Sequence, residues 1–133
     1  MNLDNLNLET LIIHGDMAFT NDNWSHELKK QIIDYVGEVN GTYIVGCTTV
    51  VKVFLRDGRT HEAMSFKESR SESIGAAYDE ARNKSFHRAL YDAFTFFWEF
   101  MKIMEKLSNE KVQRMVKQQQ LKAEWNNKNI VKN

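Results

Sequence analysis

Leu8, Leu11 and Ile12 recur at helical spacing within residues 4–14, with Asp4 placed to cap the start and Gly15 placed to stop the run. A short helix is predicted there. Residues 20–23 (TNDN) are turn chemistry. The period then changes. Residues 29–37 (KKQIIDYVG) and 42–56 (TYIVGCTTVVKVFLR) are rich in β-branched and aromatic side chains, and 59–66 (RTHEAMSF) follow. Asn40-Gly41 and Asp57-Gly58 separate these runs, and both dipeptides accept the positive φ of a two-residue hairpin turn. A three-stranded antiparallel meander is predicted.

The middle strand alternates. Val45, Cys47, Thr49, Val51, Val53 and Leu55 share one face, which reads as core. Ile44, Gly46, Thr48, Val50, Lys52, Phe54 and Arg56 share the other, which Lys52 and Arg56 make partly wet. Cys47 on the apolar face is a small buried hydrophobe.

Ser69 followed by Glu72 is a capping box and starts a helix near residue 70. No proline occurs anywhere, and no glycine follows Gly75. One apolar stripe from Ile74 through Ala77, Ala81, Leu90, Ala93, Phe97, Met101 and Leu107 predicts a single helix to about residue 106. A break near Ser108-Asn109, a second amphipathic piece (Val112, Met115, Val116, Gln119, Leu121) and a disordered NNKNIVKN end are expected. The fold class is thus α+β, with a short N-terminal helix, a β-meander, a long helix (β-β-β-α) and a basic helical tail. The expected division is a domain over 1–107 and a tail over 108–133. Phe94, Phe96, Phe97, Trp98, Phe100 and Met101 make the long helix apolar around most of its girth, more than a lone domain covers. Phe94, Phe97, Trp98, Phe100 and Met101 are therefore candidates for an oligomer or partner contact.

The 133 residues suffice for one modest core, and the single cysteine excludes a disulfide scaffold and a four-cysteine zinc site. The apolar stretch around 94–104 is interrupted by Glu99 and Lys102 and is too short to span a bilayer. The amino end lacks the pattern of a secretory signal. A soluble, intracellular protein of a reducing compartment, with no membrane partner, is the expectation. Charge changes the picture more. Lys+Arg and Asp+Glu balance at 18 each, but residues 1–50 carry net −5 and residues 102–133 carry net +5. Binding to nucleic acid would have to use a local patch.

Candidate chemistry is sparse. His14, His26, His61 and His87 have no metal-ligand spacing, and no phosphate-cradling glycine loop is present. His61-Glu62 lacks a nucleophile partner. Neither an enzyme nor a cofactor is expected.

Trp24, Ile32-Ile33-Asp34-Tyr35-Val36, Asn40-Gly41, Tyr43-Ile44-Val45-Gly46-Cys47, Val51-Lys52-Val53, Leu55-Arg56-Asp57-Gly58, His61-Glu62, Glu80-Ala81-Arg82 and Arg88-Ala89-Leu90 follow in order. Over roughly residues 8–98 this resembles the amino-terminal domain of the Rad52 family of single-strand annealing proteins and recombination mediators. The resemblance implies a β-β-β-α fold, single-stranded DNA held in a groove around an oligomeric ring, and strand annealing without cleavage. The departures are specific. The family's GYG-like tripeptide after His-Glu reads Ser65-Phe66-Lys67 here, and the family's basic cluster aligns with Tyr91, Asp92 and Thr95, and with Thr10 on the first helix.

Lys52, Arg56, Lys67, Arg70, Arg82, Lys84 and Arg88 remain as candidate DNA contacts, each also readable as an ordinary solvated charge. Trp24 reads as core rather than as a base-stacking platform. Two functions stay open. One is a multimeric annealing protein on single-stranded DNA in recombination and repair. The other is a structural or protein-interaction subunit that keeps the fold without the basic site and docks on a recombination or nucleoprotein assembly. RNA in place of DNA is a variant that the residues do not separate. The compartment implied is the nucleus, another DNA-containing compartment, or host cytoplasm for a viral protein.

Overall fold

The computed structural model describes residues 6–131, with side chains described through residue 128. The elements, in chain order, are α1 (Leu8–Phe19), β1 (Trp24–Val39), β2 (Thr42–Leu55), β3 (Thr60–Ser71), α2 (Ile74–Thr95) and α3 (Trp98–Val131). This is the α+β order expected from the turns and periodicity.

The cap of α1 is Asn7, whose side chain accepts from the Thr10 N–H; Asp4 lies outside the described residues. Gly15 does not stop the helix. It lies within α1, where a Cβ would meet the Trp24 ring at 3.0 Å and Phe94 at 3.1 Å, so it is a close-approach glycine. Trp24 Nε1 donates to Asp16 Oδ1 at 2.7 Å and ties α1 to the start of β1. Trp24 packs edge-on to Phe94 with centroids 5.2 Å apart, as part of the core.

The three strands form one antiparallel sheet in the order β1-β2-β3. Asn40 (φ 51) and Gly41 (φ 82) are both left-handed, as the mirror-type two-residue turn requires. The second hairpin differs from expectation. Leu55 N–H donates to the Arg59 carbonyl at 2.8 Å across a three-residue loop in which Gly58 (φ 100) alone is left-handed. That is the looser turn closed by one left-handed glycine. β1 and β3 also run well beyond their expected ends, and β1 carries register shifts at Leu28/Lys30 and Ile33/Tyr35.

Val45, Cys47, Thr49, Val51, Val53 and Leu55 are buried beneath α2. The small residues Ala77, Ala81, Ser85, Ala89 and Ala93 form the underside of that helix and let its backbone lie close to the sheet. The N-cap of α2 is Ser73, bonded to the Ala76 N–H; Ser69 is instead a buried β3 residue, so the expected capping box is not formed. The strand simply outlasts the local capping signal.

The single long helix is also corrected. The chain breaks at Phe96-Phe97, and i to i−3 bonds (Phe96 N–H to Ala93, Phe97 N–H to Phe94, Phe100 N–H to Phe97) wind this stretch tightly. Winding at about three residues per turn places Phe94, Phe97 and Phe100 on one side, and all three are buried. No break occurs at Ser108-Asn109, and of the NNKNIVKN end expected to be disordered the 126–131 stretch is helical, while Lys132 and Asn133 lie outside the described residues.

Contacts divide the chain into two compact units, 1–101 and 102–133. The first holds the sheet, α1, α2 and the core. The second is the remainder of α3, in which every described side chain from residue 108 onward is exposed. No described helix is long and apolar enough to cross a membrane.

Candidate nucleic-acid interface

The seven candidate cations fall on separate surfaces. Lys52 lies on the sheet face away from α2, directly between Glu27 of β1 and Glu62 of β3, with its ammonium 5.2 Å from the Phe54 ring centroid. Arg70 shares that face by register and pairs with Glu68 at 3.3 Å. Glu68 also accepts from the Tyr35 hydroxyl; that bond, with Arg70 beside it, holds its carboxyl below the usual range and pushes the Tyr35 phenol up.

The same face carries an open aromatic and aliphatic strip. Gly46 sits beneath the Tyr35 and Phe66 rings, where a Cβ would come within 2.6 Å of Tyr35. Ile32, Tyr35, Met64 and Phe66 are all exposed. Thr48, beside them, donates to Asp34 at 2.6 Å.

Arg56 lies past the end of β2, in a cleft of about 530 Å³ lined also by Thr20, Asn23, Asp57, Arg59 and Trp98. Arg59, absent from the sequence-derived candidates, dominates this end. Its guanidinium forks onto Glu99 at 2.9 and 2.8 Å and also pairs with Asp57 at 2.9 Å. These carboxylates hold Arg59 firmly protonated, and Arg59 in turn depresses the Asp57 carboxyl. Its position just after Asp57-Gly58 hinted at a turn-side ion pair, but nothing local pointed to Glu99, forty residues on. Arg59 is thus a fastener between the β2–β3 turn and the start of α3, not an available cation.

The helix cations are each paired one turn away. Arg82 lies 4.0 Å from Asp79 and over the Tyr78 ring, Lys84 lies 4.0 Å from Glu80, and Arg88 bonds Asp92 at 3.0 Å. Arg82 is on the flank of α2 nearer β1, since the Gln31 amide donates to its carbonyl at 3.1 Å. Lys84 and Arg88, at i,i+4 spacing, occupy the opposite flank. Lys67, on the α2 side of β3 by its register with Cys47, has no acidic partner among the described residues. Lys67 thus lies on the side of the sheet that α2 covers, and Lys84 and Arg88 lie one turn apart on α2.

Among the candidate contact residues, Phe94, Phe97 and Phe100 are buried inside the chain's own core and present no outward face. Phe19 and Trp24 pack on Phe94, His61 on Phe97, and Tyr91 and Phe94 on Phe100. What stays exposed is narrower: Trp98 at 66% and Met101 at 45%, with Phe96 beside them. Among the described residues no cluster of three metal-ligating side chains occurs.

Residues 2–123 match the family described as Rad52/22 family double-strand break repair protein. The chain belongs to the Rad52/22 family. Similar curated proteins include the DNA repair and recombination protein RAD52 of Kluyveromyces lactis, 36% identical over 71 residues, which is 53% of this chain and 16% of that relative. The RAD52 protein of Candida glabrata is 35% identical over 82 residues, 61% of this chain and 15% of the relative. That of Saccharomyces cerevisiae is 32% identical over 71 residues, 53% and 15% respectively. The matched stretch is therefore about a sixth of each of these relatives' length. As a Rad52/22 family member, the chain carries the β-β-β-α order that the resemblance implied, with its helical cations neutralised in pairs.

Proposed function

We propose that this chain binds single-stranded DNA and anneals complementary strands as a multimer, in homologous recombination and double-strand break repair. The observation that carries this reading is the family match over residues 2–123. The role printed for the similar proteins, DNA repair and recombination, accompanies it. Annealing breaks no covalent bond. It needs phosphates gripped by cations while base edges remain free to pair.

Lys67, Lys84 and Arg88 are the proposed phosphate contacts. The ion pairs of Lys84 and Arg88 are partly solvated, and such pairs contribute little, so phosphate can displace the carboxylates. The test is titration of a fluorescent oligo-dT at low and high salt, with mass measured in parallel. Salt-sensitive binding by a multimer is expected. Alanine at Lys67, Lys84 and Arg88 together should reduce the slope of log affinity against log salt by about 2. An unchanged slope overturns these contacts, and no binding at low salt by a folded protein overturns the DNA reading.

One observation favours a second reading, that of an interaction subunit without DNA contact. Every cation on α2 already faces a carboxylate, and Lys52 stands between Glu27 and Glu62. The low-salt arm of the titration decides between the two.

A further inference from the structure

Four large apolar side chains are exposed on the second compact unit, in the part of α3 beyond residue 108. Val112 and Val116 lie one turn apart, 54% and 47% exposed, and Leu121 and Trp125 repeat that spacing at 55% and 66%. Val112 and Leu121 are nine residues apart, and so are Val116 and Trp125. Nine residues of α-helix make about two and a half turns and advance ~14 Å along the axis. The two pairs therefore lie on opposite sides of one helix. The charge around them has one sign. Between residues 111 and 128, Lys111, Arg114, Lys117, Lys122 and Lys128 stand against a single acid, Glu124, for a net +4. Among the described residues none of these five cations is ion-paired, whereas Arg82, Lys84 and Arg88 on α2 each have a carboxylate.

We propose that α3 from Lys111 to Lys128 is the docking helix for a calcium-loaded, two-lobed EF-hand sensor, with one lobe closing on Val112 and Val116 and the other on Leu121 and Trp125. The opposed pairs set the kind of partner. A single groove, a membrane surface or a second α3 covers one side of a helix and leaves the opposite pair in water. Two copies of this stretch would also bring net +4 against net +4. A nucleic-acid backbone would use the cations and leave the four apolar side chains uncovered. A clamp of two apolar grooves covers both sides at once. Sensors of this class open such grooves, rich in methionine, when calcium binds. They take basic amphipathic helices, and their acid-rich calcium loops complement the charge of this one.

The test uses the full chain with calcium-loaded calmodulin as the probe, in calorimetric titration with and without EGTA. A complex of one chain with one calmodulin, tighter than about 10 μM, is expected in calcium and none in EGTA. One variant carries Val112→Gln and Val116→Gln, the other Leu121→Gln and Trp125→Gln. All four positions are exposed, and glutamine adds no charge and favours helix. Circular dichroism checks that helix content is unchanged. Each variant alone should weaken the complex about tenfold or more, since each takes the anchors from one lobe. Raised salt should weaken the wild-type complex, because part of the attraction is screened. The absence of a calcium-dependent complex with the folded wild-type chain overturns the proposal, as does a complex that neither variant weakens. A loss confined to one variant overturns the two-sided clamp. If no calmodulin complex forms and the variants instead lose oligo-dT affinity or multimer mass, the proposal falls and the helix belongs to nucleic acid or to a second copy.

Discussion

Thr49 and Ser85 meet hydroxyl to hydroxyl at 2.6 Å, both fully buried, where the central strand passes under α2. The Ser85 hydroxyl donates onward to the Arg82 carbonyl at 3.1 Å, so Thr49 is the donor between the two. Gln31 closes the network from β1, donating to Thr49 Oγ1 at 3.0 Å and to the Arg82 carbonyl at 3.1 Å. One buried hydroxyl pair thus joins both sequential neighbours of the core, β1 and α2, through β2.

That network should show coupling. Ser85→Ala strands the Thr49 donor in the interior and is expected to cost about 1–3 kcal/mol. Thr49→Val should cost a similar amount alone. The double variant should lose less than the sum, because no hydroxyl is then left without its partner. Urea unfolding of the four proteins measures this, and strictly additive losses would contradict it.

Gly15→Ala should destabilise despite the better helix propensity of alanine, worth about 1 kcal/mol. Its new methyl would press on Trp24, which Asp16 holds, and on Phe94, which is fully buried. Neither can yield cheaply, and a net loss of about 1–3 kcal/mol is expected. Gly37 is the control, since nothing lies within 4 Å of a Cβ there. Equal stabilities for the two alanine variants would refute the packing argument.

The turn glycines make a third case. Gly41 and Gly58 have φ of 82° and 100°, values that an L side chain adopts only with strain. Alanine at either site should lower stability by about 1 kcal/mol or more. Thermal melts give the result, and unchanged midpoints would speak against both hairpins.

Stability should fall on mild acidification. Burial lowers the pKa of His14, His26 and His87 below the ordinary 6.5, and for His87 this outweighs the opposing pull of the Leu6 carbonyl. The folded chain therefore binds fewer protons than the unfolded chain below about pH 6.5. Stability present above that value is lost as pH falls through this window. The urea midpoint should be lower near pH 5.5 than near pH 7.5, a range still above ordinary carboxylate titration. A midpoint that does not move would rule out the burial effect.

What the sequence determined alone was whatever depends on neighbours along the chain. Asn40-Gly41 specified its turn because left-handed φ is a local property, and Val45 to Leu55 declared their face because alternation in a strand is geometric. The order of elements followed from those two facts. The tertiary structure decided the rest. Ser69-Glu72 looked like a helix start, but Ser69 pairs with Val45 across the sheet, and ladder bonding kept the chain extended for two more residues. The break at Phe96-Phe97 has no glycine or proline to announce it. It arises because Phe94, Phe97 and Phe100 can all be buried only if the helix tightens there, and Arg59 grips Glu99 just beyond it. The candidate site was least legible of all. Residue type shows that a cation is present, but whether it is free depends on which carboxylate folding brings beside it. Glu27 and Glu62 around Lys52, like Glu99 beside Arg59, are far away in sequence and adjacent only in the fold.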